Sequence, residues 1–369
     1  MTFDPMTGAL VAVRLTQFAA ATALLGAAFF RVFVGACLRP PSKGFDLLDD
    51  RLRRLFILAA ALSLVSAIAW LLIEAAMMGG AWDDAINRDV LATVLLQTEF
   101  GRLWSVRLAL AVAVLIAACL LAGARSRAGG AAILAFLSAL LVASLAGTGH
   151  ALAAGGANRT IDIAAQAAHL VAASVWIGGL LPLGLVLHEA KRGVDPIWLA
   201  AAQSILPRFS QAALLAVLIL VLTGLIASWP LVGSFAALIQ TAYGNVLLAK
   251  LALFLAMIGL AAANRRWWSP RLRAAGTDAS SRRVSLHALA RNVALEQVFA
   301  IGVLAAVSVL GTLPPGADVE WESLTRSRLA PTAESPYRVA PISSASPKSD
   351  SRGATSPDDD LPAAEGPRS

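Results

Sequence analysis

Long apolar stretches separated by short polar ones fill residues 1–313. Eight runs of roughly 20 residues stand out, at about 9–37, 55–78, 104–123, 130–149, 162–187, 209–232, 243–263 and 294–313. Runs of that length span a hydrocarbon core when helical. Lipid offers no partner to open backbone groups, so each run is expected to be an α-helix. The pattern predicts an all-α fold, a polytopic bundle of about eight transmembrane helices over 1–313. After residue 313 the pattern stops. Residues 314–369 are rich in Pro, Ser, Ala and charge, which predicts a disordered tail.

Composition agrees with the pattern. Hydrophobic residues make up 58% of the 369 and charged residues 14%, where a soluble domain carries about 25% charge. The net charge of +7 is therefore read as a report of orientation, not as a nucleic-acid signal. Loops 38–54, 124–129, 188–208 and 264–293 carry most of the arginines and lysines between spans, and the alternate loops are poor in them. The positive-inside rule makes the first set cytoplasmic. Both termini and the tail are then expected on the periplasmic side of a bacterial inner membrane. The opening MTFDPMTGAL has no basic segment and carries Asp4, so the first run is expected to be a retained helix. Cys37 and Cys119 stand alone, without the spacing of a disulfide framework or zinc site.

The chain also echoes itself. QFAAATALLG (17–26) aligns with HLVAASVWIG (169–178), FGRLWSVRLAL (100–110) with YGNVLLAKLAL (243–253), and SLAGT (144–148) with SVLGT (308–312). Spans 1, 3 and 4 thus echo spans 5, 7 and 8. Four helices per unit would give both halves one orientation, a parallel 4+4 repeat.

Ionisable residues inside a membrane are costly and draw attention to function. Arg14, Arg31, Glu74, Arg107, His169, Lys250 and Glu296 fall within or at the ends of the spans. His150 ends the fourth span and His169 lies a few turns inside the fifth, both toward the periplasmic side. Glu74, Met77 and Met78 close the second span at that side. Imidazole suits copper in both oxidation states and thioether selects Cu(I), so His150, His169, Glu74, Met77 and Met78 form the candidate metal set. Each has a plainer reading: an interface histidine for His150, an interhelical hydrogen bond for His169, packing for the methionines, and neutralisation of Arg14 for Glu74. Arg107 is expected to snorkel outward. Trp176 is expected to pack a helix contact, and His188 and His287 to be solvated.

HLVAASVWIGG (169–179), Phe209 in RFS, Thr223 and Gly224 in LTG with Trp229 after them, and YGNVLLAKLAL recur in one order. Asn264 and Arg265 in ANRR, Arg291 and Glu296 in RNVALEQ, and LGTLPP (310–315) complete the set. Together they resemble the copper-resistance protein D family (CopD), most strongly over 165–315. The resemblance implies copper homeostasis or resistance at the inner membrane, beside a separate periplasmic CopC-like copper-binding partner. It implies movement of copper ions from the periplasm. Partners are then membrane lipid and that carrier, with no nucleic acid. No G-x-x-x-x-G-K-[ST] motif is present, so ATP-driven pumping is not expected, and the chain reads as a transport protein and not as an enzyme. The rival reading is electron transfer, with two histidines holding one b-type haem or a copper redox centre.

Overall fold

The computed structural model describes residues 4–34, 43–123, 128–147, 159–193, 196–232, 234–316 and Thr325. Contacts divide the chain into Met1–Leu324 and Thr325–Ser369. Of the second unit only Thr325 is described, so the tail expected there lies almost wholly outside the described residues.

Eight helices are long and apolar enough to cross a membrane, as the sequence pattern predicts: α1 (Pro5–Val34), α2 (Leu47–Gly79), α3 (Glu99–Leu121), α4 (Gly129–Gly147), α5 (Arg159–Arg192), α6 (Pro196–Ile226), α7 (Ala242–Ala274) and α8 (Ala279–Leu310). No strand occurs among the described residues. Several helices outrun their apolar windows. The expected loop 264–293 is helical except for a short turn at 275–278, so Arg282, Arg283 and Arg291 stand on the first turns of α8. Hydropathy marks the apolar slab, whereas a helix continues until a cap or breaker ends it. Asp278 supplies the cap for α8. Its carboxylate accepts from the amides of Ser280 at 3.0 Å and Ser281 at 3.3 Å. Hydrogen bonds from Ser281 and Ser280 hold its pKa down at about 2, from 3.8. The cap is thus fully ionised above the ordinary carboxylate range and is lost only as pH falls through about 2.

Two short stretches interior to the spans are π-helical, Ser174–Gly178 in α5 and Asn264–Trp268 in α7, and a third, Phe30–Val34, ends α1. Each interior stretch is followed within about a turn by a proline, Pro182 or Pro270. Proline has no N–H and crowds the preceding turn, and a π turn takes up the mismatch without ending the helix.

α1 and α5 form the centre. They are the most enclosed spans, with 67% and 56% of their windows buried, against 11% for α7. α1 packs on α2, α4, α5 and α8, and α5 packs on α6, α4, α8 and α1. The two central helices cross where the aligned stretches match. Gly26 and Gly178 abut: a Cβ on Gly26 would collide with the Gly178 backbone, and one on Gly178 with the Thr22 carbonyl oxygen. The Ser174 hydroxyl lies 3.4 Å from that of Thr22. Each glycine and hydroxyl thus meets its own partner in the echo.

A second correspondence flanks α3 and α7. Each follows a short helix, Arg88–Gln97 or Phe235–Gln240. The linking threonine, Thr98 or Thr241, receives the amide of Gly101 at 2.9 Å or Gly244 at 3.0 Å. Each glycine sits against the preceding short helix, where a Cβ would strike the carbonyl of Val94 or Leu238.

Gly178→Ala is expected to destabilise the bundle by roughly 1–3 kcal/mol through backbone overpacking. Gly8→Ala, with nothing within 4 Å of the added methyl, should be neutral or slightly stabilising. Thermal unfolding of both variants in one detergent checks the contrast.

Candidate functional site

Four basic or imidazole side chains sit at similar depth from the face opposite the basic loops. At about 1.5 Å per residue, Arg14, Arg107, His169 and Lys250 lie roughly 12–15 Å into α1, α3, α5 and α7. Arg107 and Lys250 occupy matching positions of the aligned stretches, as do Gln17 and His169.

His169 is half-buried, on the face of α5 that meets α6. Its Nδ1 lies 2.9 Å from the Thr223 hydroxyl oxygen. That hydroxyl donates its one proton to the Ile219 carbonyl at 2.6 Å. The Thr223 oxygen must then accept from Nδ1–H, which leaves the lone pair on Nε2. Gly224 lies beside the ring, where a Cβ would meet Cε1 at an ordinary 3.7 Å contact. Lys250, half-buried on α7, is close enough for its charge to act on His169. A histidine whose Nδ1–H is held by a fixed acceptor is oriented as metal-ligating histidines are.

The equivalent place in the first half is closed by amide chemistry. Gln17 is fully buried; its Nε2 donates to Ser63 Oγ at 3.0 Å, and its Oε1 accepts from Ser66 at 2.6 Å. Both of its polar ends are thereby satisfied by α2.

Beside it lies an aromatic and arginine cluster. The Arg107 guanidinium stacks over Trp104 at 4.2 Å and lies 5.8 Å from Trp70, and Nη2 donates to the Ser144 carbonyl at 2.7 Å. Arg107 is fully buried, which corrects the expectation that it snorkels outward. The faces of two tryptophans compensate its charge inside the bundle. Arg14 lies 4.9 Å over Trp70 and donates to the Gly311 carbonyl at 3.2 Å. Glu74 accepts from Trp70 Nε1 at 3.0 Å and its charge acts on Arg14. Trp70 therefore lies beside two cations while its N–H is held by the Glu74 carboxylate.

The structure distributes the candidate metal residues. His169 faces Thr223, and Glu74 faces Trp70. Met77 and Met78 are 42% and 53% exposed at the end of α2. His150 lies outside the described residues. Among the described residues, no three His, Cys, Asp or Glu side chains converge. Thr223 was visible in the sequence only as part of LTG; its acceptor role needs α6 laid against α5.

Nearer the basic-loop side, α5, α6, α7 and α8 enclose a cavity of about 160 Å³. Glu296 lines it, 2% exposed and without an ion pair among the described residues. Asn264 donates to the Glu296 carboxylate at 2.9 Å, and Asn292 donates to Asn264 Oδ1 at 2.9 Å. Trp176 lines the same cavity; its ring packs edge-on against Phe254 at 5.9 Å, as its expected packing role requires, and its indole N–H has no hydrogen-bond partner among the described residues. Both π turns contribute to the walls, through Trp176 and Asn264.

Thr223→Val releases the His169 ring from its orienting acceptor and is expected to lower any metal affinity at Nε2 by roughly 10–100-fold. Thr223→Ser should retain most of it. A competition titration of purified protein against a copper chelator distinguishes the two.

Comparison with known proteins places this arrangement. Residues 4–161 match the family described as copper resistance protein D-like, N-terminal domain, and residues 203–310 match copper resistance protein D. The chain is 32% identical over 305 residues to inner membrane protein YebZ of Escherichia coli (strain K12), covering 83% of this chain and 98% of that one. It is 30% identical over 319 residues to copper resistance protein D of Pseudomonas syringae pv. tomato, covering 85% and 97%. It is 31% identical over 254 residues to copper transport protein CutJ of Bacillus subtilis (strain 168), covering 68% of this chain and 44% of that longer one. No solved structure matches the chain significantly. With two family matches and relatives aligned along nearly their whole length, the chain belongs to the copper resistance protein D family.

Proposed function

We propose that this multi-pass membrane protein moves copper ions across a bacterial inner membrane from the periplasmic side, with His169 as the first intramembrane ligand. The observation that carries the reading is the His169–Thr223 contact, which supports an Nε2 lone pair held in one orientation inside the membrane span. The family membership and the names of two relatives, copper resistance protein D and copper transport protein CutJ, supply copper as the cargo.

The basic loops define the cytoplasmic face in this reading. His169 then lies about 15 Å from the outer end of α5. His150, between α4 and α5 in the chain, is the second ligand, and Glu74, Met77 and Met78 are lesser contributors at the outer end of α2. A separate periplasmic carrier delivers the ion. The membrane potential drives a cation inward without ATP. Lys250 opposes a cation beside His169, so copper entry requires the ammonium to move aside or lose its proton. The chain acts as a permease, not as an enzyme.

The test is copper accumulation by cells expressing wild type, His150→Ala or His169→Ala. Wild type should accumulate copper and both variants should fall toward the vector control; equal accumulation by all three would sink the assignment. Copper binding by the purified protein should weaken as pH falls, because a ligating imidazole must be neutral. An optical spectrum tests the haem alternative, since a Soret band in purified protein would overturn the copper site.

A further inference from the structure

A groove of about 1330 Å³ opens between α2, α5 and α8 at the basic-loop face. It exceeds the roughly 300–1,000 Å³ typical of pockets for drug-sized ligands. The walls turn from basic to apolar with depth on α2 and α5: Arg54, Lys191 and His188 line the end toward the basic loops, and Leu55 and Leu58 follow on α2 and Leu185 and Leu181 on α5. α8 contributes Arg283, His287 and Arg291 interleaved with apolar residues such as Val284, Ala288 and Ala294. Leu58 is 62% and Leu181 37% exposed, so the deep end is open to the membrane interior. Among the described residues no carboxylate lines the groove. Glu189, the acidic residue at its edge, is already paired with Arg51 at 2.7 Å, which ties α2 to α5. Gln297 is fixed among the lining residues by donating to the Leu180 carbonyl at 2.8 Å, and Gly184 leaves the space it needs.

We propose that this groove binds an anionic phospholipid of the leaflet at the basic-loop face. The phosphate sits among Arg54, Arg283 and Arg291, and an acyl chain runs along Leu58 and Leu181. Charge complementarity selects the headgroup, because a basic mouth draws anionic lipid at a membrane surface. The apolar deeper walls select an amphiphile over a free anion, which would leave them wet or empty. Arginine forks also match phosphate oxygens in pairs. The proposal uses none of the residues assigned to copper and can fail separately from that reading.

The full chain, purified in neutral detergent and stripped of lipid, provides the test. Phosphatidylglycerol in mixed micelles should raise the melting midpoint; phosphatidylcholine and water-soluble glycerophosphate should not. Arg54→Gln, Arg283→Gln and Arg291→Gln should each weaken the phosphatidylglycerol effect about fivefold, and the triple variant should abolish it. Arg88→Gln, at the opposite face, should leave it unchanged. Should the triple variant fail to fold, the single variants and quenching in the wild type decide. Phosphatidylglycerol with brominated chains should quench Trp268, which lines the groove, more than brominated phosphatidylcholine does, and Trp268→Phe should remove the difference. Equal responses to the two lipids, an equal response to glycerophosphate, or full selectivity in the triple variant would overturn the proposal.

Discussion

The crossing of α1 and α5 is the contact on which the bundle depends. Inside a bilayer the lipid tails are as apolar as the side chains, so helices gain little from hydrophobic burial against one another. Close backbone approach and polar contacts must supply the association. Gly26 against Gly178, with Thr22 beside Ser174, provides both at the centre of the molecule. Around this crossing α1 gathers α2, α4 and α8, while α5 gathers α6, α4 and α8. Every polar residue of interest takes its place relative to these two helices.

The two halves use matching positions for different purposes. Gln17 spends both ends of its amide on Ser63 and Ser66. His169, at the aligned position, spends one nitrogen on Thr223 and keeps the other. Arg107 is locked between aromatic faces and the Ser144 carbonyl. Lys250, its counterpart, makes no hydrogen bond or ion pair among the described residues. The first half therefore ties Gln17 and most of Arg107 into structure. The second leaves an imidazole nitrogen of His169 and the Lys250 ammonium without such partners among the described residues.

Much of this was legible in the chain. Eight spans follow from apolar run length, because the bilayer sets that length. The Thr98–Gly101 and Thr241–Gly244 pairs gain their meaning only in the folded form, where each threonine accepts the glycine amide and each glycine lies against the preceding short helix. The ends of the helices were less legible. The basic segment before residue 294 reads as a loop by hydropathy, yet Asp278 caps a helix through it. Arg107 was misread because its compensation comes from Trp70 and Trp104 on two helices; a single helix's pattern carries no sign of that.

By itself the sequence determined the all-α architecture, the number of spans, the basic and non-basic faces, and the identity of the few ionisable groups within the membrane. These are properties of composition and period, fixed by the thickness of lipid and the need to close backbone hydrogen bonds. Only the tertiary structure decided which of those groups are spent and which are free. The Nδ1 proton of His169 finds its acceptor 54 residues away on α6. Glu296 finds Asn264 on α7, and the basic residues of α2, α5 and α8 converge on one groove. Such pairings arise when helices pack side by side, and spacing along one chain does not encode which faces will meet.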